Sequence, residues 1–506
     1  MDLNDYSTVH VEREGDVAVL VLHNPPVNGM SLGLRQALAT ALLEAQAEPS
    51  VIGVVVIGSG GVFCGGADLK QLGTPAYWTY PRTIELAALI DGMSKPVVAA
   101  IGRMALGGGL ELALGCHHRI AAAGARLALP EIKLALIPGG GATLRLPGLI
   151  GLERALVMML GGEALTAEQA LEWGLADAVC EPADLRLSAV ARARALAASG
   201  VPLRRAKDLA VDLNSAVPLL AGAKARASAS PGRESAMLAI IDCLEGAFFV
   251  SHDEGFKRAG DWTAQRIRSS ESRALRHLFF AEREALRWVD QDRSVDPPRS
   301  VWLNAVTGSS AANVTDAVAF IAEALTRSAY VVAHSGHASG PSPVGLHLAI
   351  DWLLKDGPGH DDASAVHERL EALCADEGSA GTPLIVMADP ARVIDPDGLC
   401  AGRPVVIIRL PQGKVVEMTA VGPGGAAYGA WLGRVLRKAG YLPIAVRGAG
   451  ASVASALRQR EMTPVDQGRV ERPGDIDLIA VHGCGFPDFR GGPLYQVSEA
   501  VMPPST

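Results

Sequence analysis

Residues 51–58 read VIGVVVIG and residues 96–101 read PVVAAI. Each is a short run of β-branched and small apolar residues with no polar residue at alternate positions. Such a run offers no face to water, so it fits a strand covered on both sides, as strands in parallel sheets are. A segment of helical period, residues 32–47, precedes the first run. Residues 12–22, EREGDVAVLVL, read as one earlier strand that breaks at Asn24-Pro25-Pro26. Strands alternating with helices predict βαβ units and an α/β fold on a mainly parallel sheet.

The chain has 506 residues, which suggests two or three folding units. From about 150 to 290 the pattern is mostly helical. The segment DQDRSVDPPRS is charged, holds two prolines and lacks an apolar period, which puts a linker at 291–300. Beyond it, α/β character returns. Strands are expected at 301–306, 329–333, 383–387 and 404–408, and helices at 314–326 and 345–354.

Hydrophobic residues make up 49% and charged residues 20%, ample for packed cores. The net charge of −8 argues against a basic nucleic-acid-binding face. No run of about 18 residues is apolar throughout, so no membrane span is expected. The polar, acidic N-terminus does not resemble a signal peptide, and Pro504-Ser505-Thr506 is not a peroxisomal address. Seven scattered cysteines without a CxxC pair fit a reducing compartment, so a cytoplasmic location is expected. His334, His337, Asp361 and Asp362 match no standard ligand spacing, and no metal is expected.

Three pieces of the first half carry chemistry. Cys64-Gly65-Gly66-Ala67-Asp68-Leu69 follows one apolar strand, and Leu106-Gly107-Gly108-Gly109-Leu110-Glu111 follows the next. Glycine turns at strand ends let backbone N–H groups approach a ligand, and two such groups can clamp a developing oxyanion. Close packing of a turn on a helix is the better account of either turn alone, and two such turns in one βαβ unit weaken it. The third piece is Pro130-Glu131-Ile132, leading to Pro138-Gly139-Gly140-Gly141-Ala142-Thr143. Glu111 and Glu131 both stand in apolar surroundings. That setting raises a carboxyl pKa toward the range of a general acid or base, although each also fits as a first-turn helix acid.

These pieces resemble the enoyl-CoA hydratase/isomerase (crotonase) superfamily. The likeness extends over residues 8–185 and includes Asn24-Pro25-Pro26-Val27-Asn28, Leu165–Ala170 and Trp173-Gly174-Leu175. It implies a crotonase-type core over 1–190, with 191–290 a helical extension closing it. It implies an oxyanion hole from the N–H groups of Ala67 and Gly108. Glu111 would activate a water toward C3 of a trans-2-enoyl-CoA, Glu131 would protonate C2, and the Gly139 N–H would orient the water or Glu131. Gly66, Asp68, Leu69, Gly107 and Phe279 are the expected substrate contacts. Leu144 stands where the family often has Gln. Coenzyme A would arrive on the substrate, and no separate cofactor is implied.

Beyond 185 the layout resembles the multifunctional β-oxidation enzymes, in which a 3-hydroxyacyl-CoA dehydrogenase follows the hydratase. Residues 274–285, 443–447, 475–478 and 485–494 carry that likeness. It implies a Rossmann-like domain over 301–420 and a shortened helical remnant over 421–506. The dehydrogenase residues are lacking. One glycine remains of the dinucleotide fingerprint in Thr307-Gly308-Ser309-Ser310-Ala311-Ala312, and Arg409-Leu410-Pro411 stands where a catalytic histidine is expected. Loss of NAD binding is therefore expected, with Glu417 a surviving partner of no chemistry. The expected activity is hydration of 2-enoyl-CoA. Isomerisation of 3-enoyl-CoA, or a non-catalytic assembly subunit with a thiolase partner, are the alternatives. The family likeness also allows a homo-oligomer.

Overall fold

The computed structural model describes residues 8–211, 213–249, 252–291, 404–409, 413–447, 453–458, 468–470 and 472–501, with strands at 301–306, 332–334, 346–351 and 384–388. The chain divides into two compact units, Met1–Leu275 and Arg276–Thr506. The division falls inside a helix, so residues 276–291 group with the second unit and not with a helical extension of the first. The expected linker at 291–300 lies almost wholly outside the described residues.

The first unit opens with β1 (Val9–Glu14) and β2 (Val17–Leu22), then α1 (Leu32–Ala47) and β3 (Gly53–Gly58). Next come α2 (Pro75–Trp78), α3 (Thr83–Gly92), β4 (Val97–Ile101), β5 (Met104–Leu106), α4 (Gly108–Gly115), β6 (His118–Ala122) and β7 (Arg126–Ala128). Then follow α5 (Ala142–Ile150), α6 (Leu152–Gly161), β8 (Leu165–Thr166), α7 (Ala167–Trp173), β9 (Ala178–Cys180) and α8 (Leu185–Ser199). Helices α9 (Leu213–Ser228), α10 (Glu234–Phe249) and α11 (His252–Arg268) follow, and the first unit ends within α12 (Ser270–Ala285).

Six strands form one sheet in the order β1-β2-β3-β4-β6-β9, and β5-β7-β8 form a second. In the larger sheet only the β1–β2 pair is antiparallel. The single strand expected over 12–22 is thus a hairpin, turning at Gly15-Asp16 with Gly15 at φ 66°. An L-residue with a side chain disfavours that conformation. The alternation on either side of the glycine concealed the turn.

The Val- and Ile-rich runs are covered on both faces, as their lack of polar alternation requires. Val54, Val56, Val97, Ala99 and Ile101 face the main core, which includes Leu34, Leu38 and Leu42 of α1. Val55, Val98 and Ala100 face the opposite way, against Leu185, Ala189, Val190 and Ala193 of α8. Helix α1 begins at Ser31, whose hydroxyl accepts from the Leu34 N–H at 3.3 Å.

In the second unit, β10 (Val301–Val306) lies between β11 (Val332–His334) and β12 (Leu346–Asp351), all parallel. A second sheet runs β13 (Leu384–Ala388), β14 (Val405–Arg409), β15 (Val415–Val421) and β16 (Leu442–Ala445), with β14 and β15 antiparallel. Strand β12 overturns the helix expected at 345–354. Leu346, Leu348 and Ile350 alternate with His347, Ala349 and Asp351, a period of two that the apolar content had masked. The helix expected at 314–326 and the fingerprint at 307–312 lie outside the described residues.

Candidate active site

The turn after β3 and the start of α4 are fastened together. Cys64 N–H donates to the Met104 carbonyl at 3.2 Å, and Leu106 N–H donates to the Cys64 carbonyl at 3.0 Å. The approach admits no side chain at the helix start: a Cβ on Gly109 would meet the Cys64 carbonyl oxygen at 2.5 Å. The Gly107 N–H is held by the Ala128 carbonyl at 2.9 Å, while Gly107 itself adopts φ 50°.

These constraints bring Ala67 and Gly108 to one small space. A Cβ on Gly66 would stand 3.7 Å from the Gly108 nitrogen, and one on Gly108 would stand 3.5 Å from the Ala67 nitrogen. Gly108 opens α4, so its N–H has no partner within the helix. Among the described residues, neither amide donates to a backbone carbonyl. Two donors on neighbouring turns, with the positive end of a short helix behind one of them, can stabilise an enolate oxygen.

Both glutamates converge on the same place. Glu111 sits in the first turn of α4 and is 3% exposed. Its Oε1 accepts from the Gly140 N–H at 2.7 Å and the Ala142 N–H at 3.1 Å. Glu131 sits in the 3-10 turn Pro130–Leu134, and its Oε2 is enclosed without a hydrogen-bond partner. Its Oε1 is 3.0 Å from where a Cβ on Gly107 would lie. Gly107 is therefore the residue that lets Glu131 come close to the start of α4.

Burial pushes the Glu111 carboxyl up to about 7, against the pull of the Ala142 and Gly140 amides and the Arg145 cation. Burial raises Glu131 well above the ordinary carboxylate range, and the charge of Glu111 raises it further. Two carboxyls enclosed together cannot both ionise easily, so near neutrality the pair favours holding one proton. One carboxylate anchored by amides and one carboxyl with a free oxygen make an acid–base pair.

Leu69 and Leu134 lie just past the Gly66-Ala67 turn and just past Glu131. They pack with Leu72, Tyr77, Leu136 and Ile267 in an apolar cluster. Burial raises the Tyr77 phenol, and the charges of Glu111 and Glu131 add to the effect. The turn carrying Tyr77 is held from α1 by Arg35, which is 2% exposed. Its guanidinium donates to the carbonyls of Ala76 at 2.6 Å, Pro81 at 2.8 Å and Thr79 at 3.3 Å.

The remaining sequence candidates fall in different places. Gly66 and Gly107 line the turn itself. Asp68 serves the turn's own backbone, its Oδ1 accepting from the Lys70 N–H at 3.0 Å. Gly139 packs on α11, where a Cβ would meet Thr263 Oγ1 at 2.7 Å, and the amides on Glu111 are those of Gly140 and Ala142. Phe279 belongs to the second unit, edge-on to Phe280 at 5.5 Å and beneath the Arg283 guanidinium. Gly140, Ala142, Tyr77 and Arg35 were not singled out from sequence. The PGGGAT run marked the turn that holds the first two, but not which amides point inward.

Residues 12–227 match the family described as enoyl-CoA hydratase/isomerase. A peroxisomal bifunctional enzyme of Danio rerio is 38% identical over 276 residues, covering 54% of this chain and 38% of that protein. A peroxisomal fatty acid beta-oxidation multifunctional protein of Oryza sativa subsp. japonica is 36% identical over 286 residues, 54% of this chain and 39% of that protein. The Homo sapiens peroxisomal bifunctional enzyme is 32% identical over 289 residues, 56% of this chain and 39% of that protein. The chain thus matches about two fifths of the length of these relatives. Residues 12–227, with their α/β core, are thus similar to the enoyl-CoA hydratase/isomerase family.

Proposed function

We propose that the first unit is an enoyl-CoA hydratase acting on a trans-2-enoyl-CoA. The observation that carries this reading is the enclosed pair Glu111 and Glu131 beside the neighbouring amides of Ala67 and Gly108. The thioester carbonyl would rest on the Ala67 and Gly108 N–H groups. Glu111, ionised, would take a proton from water as its oxygen adds to C3. Glu131, protonated, would give its proton to C2 as the enolate collapses. The product is a 3-hydroxyacyl-CoA, and the proton inventory balances within the pair. Coenzyme A belongs to the substrate in this scheme, and no metal takes part.

The second unit, in this reading, does no hydride chemistry and binds no NAD. Support comes from Arg409, which ends β14 and is 1% exposed where a histidine would be needed. Glu417 gives both carboxyl oxygens to backbone amides, those of Ala454 at 2.8 Å and Val453 at 2.9 Å. A cytoplasmic location and assembly with like chains or a thiolase belong to the same proposal. Among the described residues no helix is long and apolar enough to cross a membrane.

The test is loss of the conjugated thioester absorbance with crotonyl-CoA and a longer 2-enoyl-CoA, followed by addition of NAD. Hydration without NADH is expected, and Glu131→Gln should lower turnover about 100- to 10,000-fold. Unchanged turnover in that variant would remove Glu131 from the mechanism. Turnover of a 3-enoyl-CoA alone would shift the assignment to isomerase, and NADH formation would overturn the reading of the second unit.

A further inference from the structure

Behind the turn that holds Glu111 lies a buried ion pair. Arg145 of α5 is 0% exposed and Asp91 of α3 is 1% exposed. The guanidinium binds Asp91 Oδ2 twice, through Nη2 at 2.6 Å and Nε at 3.1 Å. Its remaining Nη1 donates to the Gly141 carbonyl at 3.3 Å. Gly141 is the residue between the two amides that grip Glu111. It has φ +100°, and a Cβ there would lie 2.1 Å from Arg145 Nη1. The Phe256 ring of α11 lies 5.7 Å from the guanidinium carbon.

This pair fills that space at a cost. Asp91 Oδ1 is buried with no hydrogen-bond partner. Enclosing two charges costs desolvation, and an apolar pair of similar volume is often at least as stable. The arrangement does something an apolar pair would not. It fixes the carbonyl of Gly141, and with it the direction of the flanking N–H groups, and it sets a fixed cation close behind Glu111.

We infer that Arg145, held by Asp91, is a positioning residue for Glu111: it locks the Gly140–Ala142 turn onto that carboxylate and so holds it in place to take a proton from water. The inference rests on Glu111 acting as the base. Glu131, Tyr77 of α2 and Arg145 are the titratable and charged groups that bear on Glu111. Behind Arg145 stand Asp91, Lys207 and Asp208, with the Arg205 Nε on the Asp91 carbonyl at 2.5 Å. Arg145 is thus the cation that opposes the burial of Glu111.

The experiment is the pH profile of kcat/KM for hydration in Arg145→Met, Asp91→Asn and the double variant Arg145→Met with Asp91→Leu. The double variant leaves no buried charge unpaired, so it stays informative where Arg145→Met fails to fold. Loss of the cation should move the acid limb up by about one pH unit. Turnover should fall roughly tenfold with KM little changed, because the turn does not hold the CoA part. Asp91→Asn should move the limb down, since the cation is then less neutralised. Profiles that superimpose on the wild type in folded variants would overturn the inference. A ¹³C titration of the Glu111 carboxyl gives the same readout without turnover. An inactive wild type would therefore sink the hydratase reading, while the titration would still decide the role of Arg145.

Discussion

Gly140→Ala isolates the grip on Glu111 with a single methyl group. The added Cβ would lie 2.6 Å from Glu111 Oε2 and 2.8 Å from its Cδ, with Thr83 Cγ2 at 2.9 Å on another side. All three distances are shorter than a carbon tolerates, and Glu111 itself must give way. Displacing the carboxylate breaks its 2.7 Å bond from the Gly140 N–H. A hydrogen bond to a charged group is worth about 1.5–3 kcal/mol. At about 1.4 kcal/mol per tenfold, that predicts a loss of roughly 10- to 150-fold in kcat. Overpacking should also cost about 1–3 kcal/mol of stability, visible in a urea melt. The assay is crotonyl-CoA hydration at saturating and limiting substrate, with KM expected to move less than about threefold. Gly33→Ala in α1 is the control. A Cβ there meets nothing within 4 Å, so turnover should be unchanged and stability equal or higher. A folded Gly140→Ala enzyme with turnover within twofold of wild type would refute the idea that this turn positions the base.

Two further outcomes follow from the same electrostatics. Burial raises Glu111 from 4.5 to about 7, so the folded state holds its proton more tightly than the unfolded chain does. Its contribution to stability is complete below about pH 4.5 and disappears as pH rises through about 7. Chemical denaturation across that window should show this decline, and Glu111→Gln should flatten it. Elsewhere, Arg119 is 1% exposed and pairs with Asp177 through Nη2 at 2.8 Å, with the Cys116 carbonyl on Nη1 at 2.7 Å. Arg119→Ala should cost about 3–5 kcal/mol in a melt because it strands a partly buried carboxylate, and a loss under about 1 kcal/mol would show that Asp177 is adequately served by Arg204.

The parts of the fold that depend on local composition were open to sequence reasoning. Val- and Ile-rich runs gave β3 and β4 because a strand buried on both faces admits little else. The period of residues 32–47 gave α1 for a similar reason. The hairpin at Gly15-Asp16 and strand β12 escaped because turn and strand signals were overlaid on a plausible competing period. At the site, Glu111, Glu131 and the two glycine turns that the structure brings together could be picked out because each is encoded in one short segment. The Arg145–Asp91 pair was not, since its members are 54 residues apart and nothing local marks either. Arg35 reads as an ordinary surface cation of α1. Only the fold reveals that it is surrounded by the carbonyls of residues 76–81.

Helix α12 has an evolutionary consequence. Ala274 and Leu275 near its start are buried, Leu275 in the core of the first unit, whereas Leu278 and Ala285 are buried in a core of the second. A recombination event that joined or exchanged these units at the proline-containing segment would have carried residues 276–291 away from the strands and helices that cover them. The seam along which such a gene can be cut and rejoined therefore lies within a continuous helix, upstream of the stretch that looks like a hinge.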